Sequence, residues 1–318
     1  MIWLAWRQHR KQALFGLGVV ALLALIMIPS GIAIHRSFVD TGYAACLDGF
    51  GRAEFVPLAQ VNGCEQARDA FRNGQDSWQI FATLLIFLPL LAGMFWGAPL
   101  VARETEAGTH HLVWTQGVTR RRWALTKFGL VGLGVLFAAV AYSLLLTWWV
   151  KPLSRATGGG FGFLIFDLHG IVPIGYTLFA LAVGILAGAV TRKVLPAMAV
   201  TLVGFVAVRA LVEFAARPFF LAPKSRTFKV ATTEIPNPAS QDWLLSYSLH
   251  DSNGPDSNGG YAFCEPSVTC PDEGWFNFHV YQPGDRFWLF QYIETGIYLA
   301  LTALLLYLAI RLVRRRIT

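Results

Sequence analysis

Charge is what this sequence has least of: Asp, Glu, Lys and Arg together make up 14% of the 318 residues, against 55% hydrophobic residues. Soluble chains carry about a quarter charged residues, so a water-soluble enzyme is excluded and the bilayer is the expected solvent for most of the chain. Catalytic signatures are missing as well. There is no G-x-x-x-x-G-K-[ST] phosphate loop, no H-E-x-x-H, no G-x-S-x-G and no kinase signature, which excludes nucleotide or peptide hydrolysis by those motifs. Intramembrane carboxylates and cations are sparse, and no inverted repeat with matched broken helices relates the two halves, so the layout of an ion-driven carrier is absent too. If the chain moves a solute uphill, the energy comes from a partner.

What the sequence does contain is long apolar runs. A hydrocarbon core about 30 Å thick needs about 20 apolar residues in a helix that satisfies its own backbone. Six stretches qualify: Ala13 to Ile34, Trp78 to Val101, Ala124 to Val150, His169 to Val190, Pro196 to Ala215 and Phe287 to Ile310. The first run is too long for a signal peptide and no small-residue cleavage site follows Ile34, so it is expected to remain.

Orientation follows from Lys and Arg, which stay on the cytoplasmic side near helix ends. Arg7, Arg10 and Lys11, the 102–123 loop with Arg120, Arg121 and Arg122, then Arg192-Lys193 and the tail Arg311, Arg314, Arg315, Arg316 form one basic set. Acidic residues gather in the other set, from Asp40 to Asp76, at Asp167 and from Glu234 to Asp285, leaving Glu104 and Glu106 among the basic segments. Both termini are therefore expected in the cytoplasm of a multi-pass plasma-membrane protein. All four cysteines fall on the opposite, oxidising side. Three pairings are possible; Cys46–Cys64 and Cys264–Cys270 are favoured because each closes a local loop, with buried thiols or a metal site as the alternative. No C-x-x-C is present.

Tryptophans prefer the headgroup level, which assigns Trp3, Trp6, Trp96, Trp114 and Trp123 to the inner interface and Trp78, Trp148, Trp149 and Trp288 to the outer one. Residues 1–12 have the pattern of a helix lying in the membrane plane, an elbow leading into the first span. Outside, residues 36–77 form one loop and 216–286 a larger one, in which FKVATTEI, DWLLSYSL and WFNFHVY have the composition of short strands. The expected fold is an all-α polytopic membrane protein, with spans one to five over 13–215, a sixth span and basic tail over 287–318, and a small disulfide-pinned extracytoplasmic α/β cap between the last two spans.

Between spans two and three lies ARETEAGTHHLVWTQGVTRRRWALTK. Two acids, Gly-Thr, a hydrophobic patch, a Val-Thr-Arg turn and a Lys opening the next span resemble the coupling loop of ABC exporter permeases of the type V (ABC type 2) fold. WLAWRQHR at the start and YQPGDRFWLFQYIETGIYLA at the last span resemble the actinobacterial branch of that family. The resemblance covers nearly the whole chain, although the Cys-containing insertion before the last span departs from the family's small re-entrant helices. It implies a permease that pairs with itself or a related permease and binds two copies of a separate ABC ATPase. ATP and Mg would be held by that partner, with no cofactor in this chain and no nucleic acid. Glu104, Glu106, Gly108, Thr109, Leu112 and Trp114 would contact the ATPase, while Arg120, Arg121 and Arg122 would meet lipid headgroups or serve only as a topogenic signal. His110-His111 reads as plain polar surface, with metal binding or pH sensing as the alternative.

Ionisable groups in lipid are usually paired or functional. Arg209 and Glu213 fall in the fifth span and Glu294 in the sixth. Counting eight residues inward from Arg217 and Arg286, about 12 Å at 1.5 Å per residue, Arg209 and Glu294 reach similar depth. An Arg209–Glu294 pair is expected, with Glu213 as second partner, as a structural tie or as part of an exit gate. Gly184 with Gly188, and Gly129, Gly132 and Gly134, are expected to be helix contact faces; Pro89, Pro99 and Pro173 are expected to bend their helices. The leading function is export of a drug, lipid or peptide. The alternatives are a non-transporting sensor or immunity component that recognises an extracytoplasmic antibiotic or peptide, and a self-sufficient channel or membrane enzyme.

Overall fold

The computed structural model describes residues 2–107, 119–230, 234–251, 254–255 and 275–316. Within them six helices are long and apolar enough to cross a membrane: Leu14–Asp40, Ile80–Glu106, Arg122–Ala156, Val172–Thr191, Val194–Phe219 and Gly284–Arg314, here spans 1 to 6. Each overlaps one of the six expected stretches. Large apolar side chains such as Leu25, Phe137, Leu195 and Phe214 are exposed on the outer faces, as lipid contact requires. Span 4 is the most enclosed; spans 2, 3, 5 and 6 pack around it, and span 1 leans on span 3.

The elbow expected at residues 1–12 is not separated from span 1: a single helix runs from Ile2 to Asp40. No Gly or Pro interrupts residues 2–15, so nothing breaks the backbone ladder there.

Small residues set how spans 2 and 4 meet. A Cβ on Gly93 would lie 2.5 Å from the Ala180 carbonyl oxygen, one on Gly97 2.6 Å from that of Leu181, and one on Gly188 2.5 Å from that of Ala98. Gly184 and Gly188 thus form the contact face the sequence suggested, and Gly93 and Gly97 are its partners. Gly129, Gly132 and Gly134 do not pack this way: a Cβ at each meets nothing within 4 Å.

Span 2 is not one regular helix. It passes from a helix over Asp76–Leu85 through a turn to Leu88–Ala92, a π-helical turn over Gly93–Gly97 and a last helix over Ala98–Glu106. Pro89 has no N–H to give the Leu85 carbonyl, and in a membrane that acceptor cannot turn to water. Tyr142 of span 3 donates its hydroxyl to it at 2.7 Å. The same solution recurs at Pro152 inside span 3, where His35 Nε2 of span 1 donates to the Trp148 carbonyl at 3.0 Å. Pro173 does not bend span 4; it occupies the first turn of that helix, where a missing N–H costs nothing.

Trp149, expected at the outer interface, is fully buried, its indole N–H donating to Ser30 Oγ at 3.0 Å and its ring packed edge-on to Trp78 and Phe81. Trp123 is buried as well. Both rings face the neighbouring helices because their faces of span 3 point into the bundle.

One end of the bundle carries the cap and is called the cap end; the other, with Ala107 and Thr119, is the loop end. Strands β1 (Phe55–Pro57), β2 (Lys224–Lys229), β3 (Glu234–Pro236), β4 (Trp243–Asp251), β5 (Gly254–Pro255) and β6 (Phe276–Gln282) form two antiparallel sheets, β1-β3 and β2-β6-β4-β5. The segment FKVATTEI is therefore not one strand: its start belongs to β2 and its end to β3, which pair with different partners. Because β3 pairs with β1, the 36–77 loop and the 216–286 segment make one cap. Asn237 clips them together, donating Nδ2 to the Ala53 carbonyl at 2.8 Å. Cys46 and Cys64 form a disulfide with Cα atoms 5.9 Å apart, a closure of this length contributing about 3 kcal/mol in the chain-entropy picture. Cys264 and Cys270 lie outside the described residues.

His279 on β6 is buried in the cap, with the Phe228 ring edge-on at 4.9 Å and Arg226 and Tyr247 as its cross-strand neighbours. Burial, reinforced by the Arg226 charge, pushes its pKa down from 6.5 to about 4. As pH falls the unfolded cap takes up this proton first, so stability is complete above about pH 6.5 and is lost progressively toward pH 4. Amide exchange of the β-sheet at pH 7.5 and pH 4.5 should show this weakening, and His279→Asn should flatten it. Equal pH dependence in the variant would place the titration elsewhere.

Candidate functional site

Both acids before the loop are engaged inside the chain. Glu104 accepts from Lys127 Nζ of span 3 at 2.5 Å, in a largely buried pair with the ammonium 5.1 Å above the Trp123 ring. Glu106 Oε2 accepts the Val194 amide at 3.0 Å, which caps the first turn of span 5, where backbone N–H groups have no partner in the helix. Between them Thr105 donates to the Arg192 carbonyl at 3.3 Å. At the far end of the loop, Thr119 Oγ1 accepts the Arg122 amide at 3.4 Å and caps span 3. The two described flanks of the loop, Glu104–Glu106 before it and Thr119 after it, are thereby tied to spans 2, 3 and 5. Gly108, Thr109, Leu112, Trp114 and the pair His110-His111 lie outside the described residues. Arg120 and Arg121 open the span 3 helix, and Arg122 beside them is exposed.

At the cap end a charge cluster is buried among spans 4, 5 and 6. The short helix Phe163–Leu168, between spans 3 and 4, is here called the wedge. It folds inward because polar groups of the spans hold its C-terminal side: Gln291 donates Nε2 to the Phe166 carbonyl at 3.0 Å and accepts the Ile171 and Val172 amides at 3.0 and 3.1 Å. Ser143 donates to the Gly170 carbonyl, and Thr147 Oγ1 accepts the Gly170 amide at 2.9 Å. Asp167 on the wedge is consequently 1% exposed at its side chain.

Arg217 is the hub. It donates Nε and Nη2 to the two Glu294 oxygens, each at 2.8 Å, a bidentate fork. Its Nη2 also reaches Asp167 Oδ1 at 2.8 Å and the Tyr176 hydroxyl at 3.1 Å. The guanidinium lies 4.1 Å from the Phe166 ring centroid. Tyr176 places its hydroxyl proton between Asp167 Oδ1 at 2.8 Å and Glu294 Oε1 at 2.5 Å. Arg209 pairs with Asp167 Oδ2 and sits 5.0 Å from the Tyr176 ring. Glu213, in the π-helical turn Leu211–Ala216, is 3.9 Å from Arg217 Nη1.

The expected Arg209–Glu294 pair is therefore corrected: Arg209 belongs to Asp167, and Glu294 belongs to Arg217. Depth counting treated Arg217 as an outer-edge residue, yet its side chain is 2% exposed because it turns inward to the carboxylates. Asp167 was grouped with the outside acids, although a lone acid in the apolar run FGFLIFDL was a signal that it is buried and paired. The cluster combines two guanidinium groups with three carboxylates. It contains no arrangement of nucleophile and base; it is a tie among three spans and the wedge, held by interactions that lose their value as soon as one partner leaves.

No curated protein and no solved structure matches the chain. A family model does, described as ABC-2 membrane transporter related, over residues 17–217. That stretch runs from span 1 to Arg217 at the end of span 5 and includes both the loop between spans 2 and 3 and four charged members of the cluster. With this match and six membrane helices among the described residues, the chain belongs to the ABC-2 membrane transporter related family and is a multi-pass permease subunit of an ABC transporter, a membership that implies an ABC ATPase as its partner.

Proposed function

We propose that this chain is the transmembrane subunit of an ATP-driven exporter that moves an amphipathic or hydrophobic substrate outward across the plasma membrane. Two permease chains, identical or related, bind two copies of the ATPase, which hold ATP and Mg. Both termini and residues 107–119 face the ATPase, and the cap lies outside.

The observation that carries this reading is the placement of span 5. Its first turn is capped by Glu106 at the edge of the loop, and its far end carries Arg209, Glu213 and Arg217. A rod of 26 residues, roughly 39 Å long at 1.5 Å per residue, joins the two sites. A push on the loop is delivered to spans 2, 3 and 5 together, and span 5 passes it to the cluster that ties the cap-end closure. The coupling site is Glu104 and Glu106, which tie the end of span 2 to Lys127 and to span 5, together with the loop residues Gly108, Thr109, Leu112 and Trp114 that meet the ATPase, and the cluster is the outer gate.

Purifying the solubilised protein from its host and assaying the eluate for ATPase tests the reading. A roughly stoichiometric ATPase is expected with the native chain, and a Glu104→Ala/Glu106→Ala variant that remains monodisperse should lose it. Recovery of the chain alone, or undiminished recovery with the variant, would overturn the coupling assignment. The stitched two-loop cap also suits a sensor that recognises an extracytoplasmic antibiotic or peptide. Accumulation of substrate in inverted vesicles separates the two, since a sensor stimulates ATP hydrolysis without accumulation.

A further inference from the structure

Between spans 1, 2 and 3 lies a cavity of about 450 Å³, within the range of sites that hold a small molecule. Phe15 and Leu23 of span 1, Ala92 and Trp96 of span 2, and Gly134 and Tyr142 of span 3 contribute to its wall. The two hydroxyls in the lining are already used: Tyr142 donates to the Leu85 carbonyl and Thr177 to the Pro173 carbonyl, each at 2.7 Å. A ligand would therefore find almost only hydrocarbon. Phe15, Phe95 and Phe137, which also line it, are more than half exposed, so the cavity opens sideways toward lipid.

Its position along the spans indicates what enters. Arg10, exposed, precedes Phe15 by five residues on one continuous helix, about 7.5 Å at 1.5 Å per residue. Arg7 and Lys11 flank it in sequence, and Arg120, Arg121 and Arg122 open span 3. From Arg122 to Gly134 is twelve residues, about 18 Å, against roughly 15 Å for the hydrocarbon of one leaflet. The exposed Arg10 and Arg122 thus stand about 7.5 Å and about 12 Å along their helices from the cavity-lining Phe15 and Leu130, within one leaflet's depth, a spacing that lets an anionic headgroup at their level send its tail into the cavity.

We propose that this cavity holds one acyl chain of an anionic phospholipid, drawn in sideways from the leaflet at the loop end, with its headgroup at the Arg10 and Arg122 level. The site does not depend on which cargo the permease carries or on the ATPase.

The full chain in nanodiscs of phosphatidylcholine doped with a phosphatidylglycerol bearing a diazirine near its acyl terminus provides the test, read by mapping labelled peptides. Labelling is expected to concentrate on the cavity wall of spans 1, 2 and 3 and to fall with excess unlabelled phosphatidylglycerol. Gly134→Leu should reduce it roughly tenfold, the effect of expelling about two methylene groups. Gly132→Leu, whose side chain also enters open space but not the cavity, should leave it unchanged. A phosphatidylcholine probe should label the wall less, and Arg10→Gln/Arg122→Gln should erase that preference. Labelling spread over all lipid-facing surfaces and insensitive to Gly134→Leu and to competitor would overturn the site. Equal labelling by the two probes in the native chain would overturn the anionic headgroup.

Discussion

Arg217→Met is expected to be among the most damaging single substitutions in this protein. The native guanidinium is shared by Glu294, Asp167 and Tyr176 and stands near Glu213, all away from water. A methionine fills the volume but supplies no donor, leaving three carboxylates with Arg209 as their remaining cation in the cluster. Breaking a buried pair by deleting one partner costs about 3–5 kcal/mol, a large share of ordinary fold stability. Arg209→Met should cost less, because Arg209 hydrogen-bonds a single carboxylate and is less completely buried than Arg217. Adding Glu294→Gln to Arg217→Met should recover much of the loss, since the charge stranded by the first change is then removed. Thermal unfolding of the four detergent-solubilised proteins gives the order directly. If Arg217→Met melts with the native protein, the cluster does not hold the cap end closed.

Gly184→Ala should be nearly as harmful, for a reason unrelated to charge. The new Cβ would fall on the Gly93 carbonyl oxygen and 2.7 Å from the Ala98 amide nitrogen. These are backbone atoms, which cannot rotate aside as a side chain can, so spans 2 and 4 must separate. Overpacking of this kind typically costs 1–3 kcal/mol and sometimes more. Separation would also shift the last helix of span 2, which carries Glu104 and Glu106, so ATPase coupling is expected to fall together with stability. Gly132→Ala is the control, since its Cβ meets nothing within 4 Å and alanine is the better helix former. Equal melting temperatures and equal ATPase coupling for Gly184→Ala and Gly132→Ala would show that the close approach of spans 2 and 4 is not needed.

The six spans were legible because lipid leaves a chain few options: each segment must be long, apolar and self-satisfied in its hydrogen bonds. Strands in the cap were legible at DWLLSYSL and WFNFHVY for a similar local reason, a run of residues that suits a pleated surface. The Gly184-Gly188 face showed itself by spacing alone. Each of these signals is contained in a few consecutive residues.

Partner choice is not local, and there the tertiary structure decided. Residue counting placed Arg209 opposite Glu294, whereas the wedge brought in Asp167 and Arg217 turned inward, and together they divided the carboxylates differently. No pattern around Pro89 or Pro152 announces that Tyr142 and His35 serve the carbonyls those prolines leave without a donor. Nor does the composition of either outer segment announce that β1 and β3 join them into one cap. Hydropathy records how much each residue prefers lipid to water. Which buried donor meets which buried acceptor depends on distances between helices far apart in the chain, and those are set only when the six spans pack together.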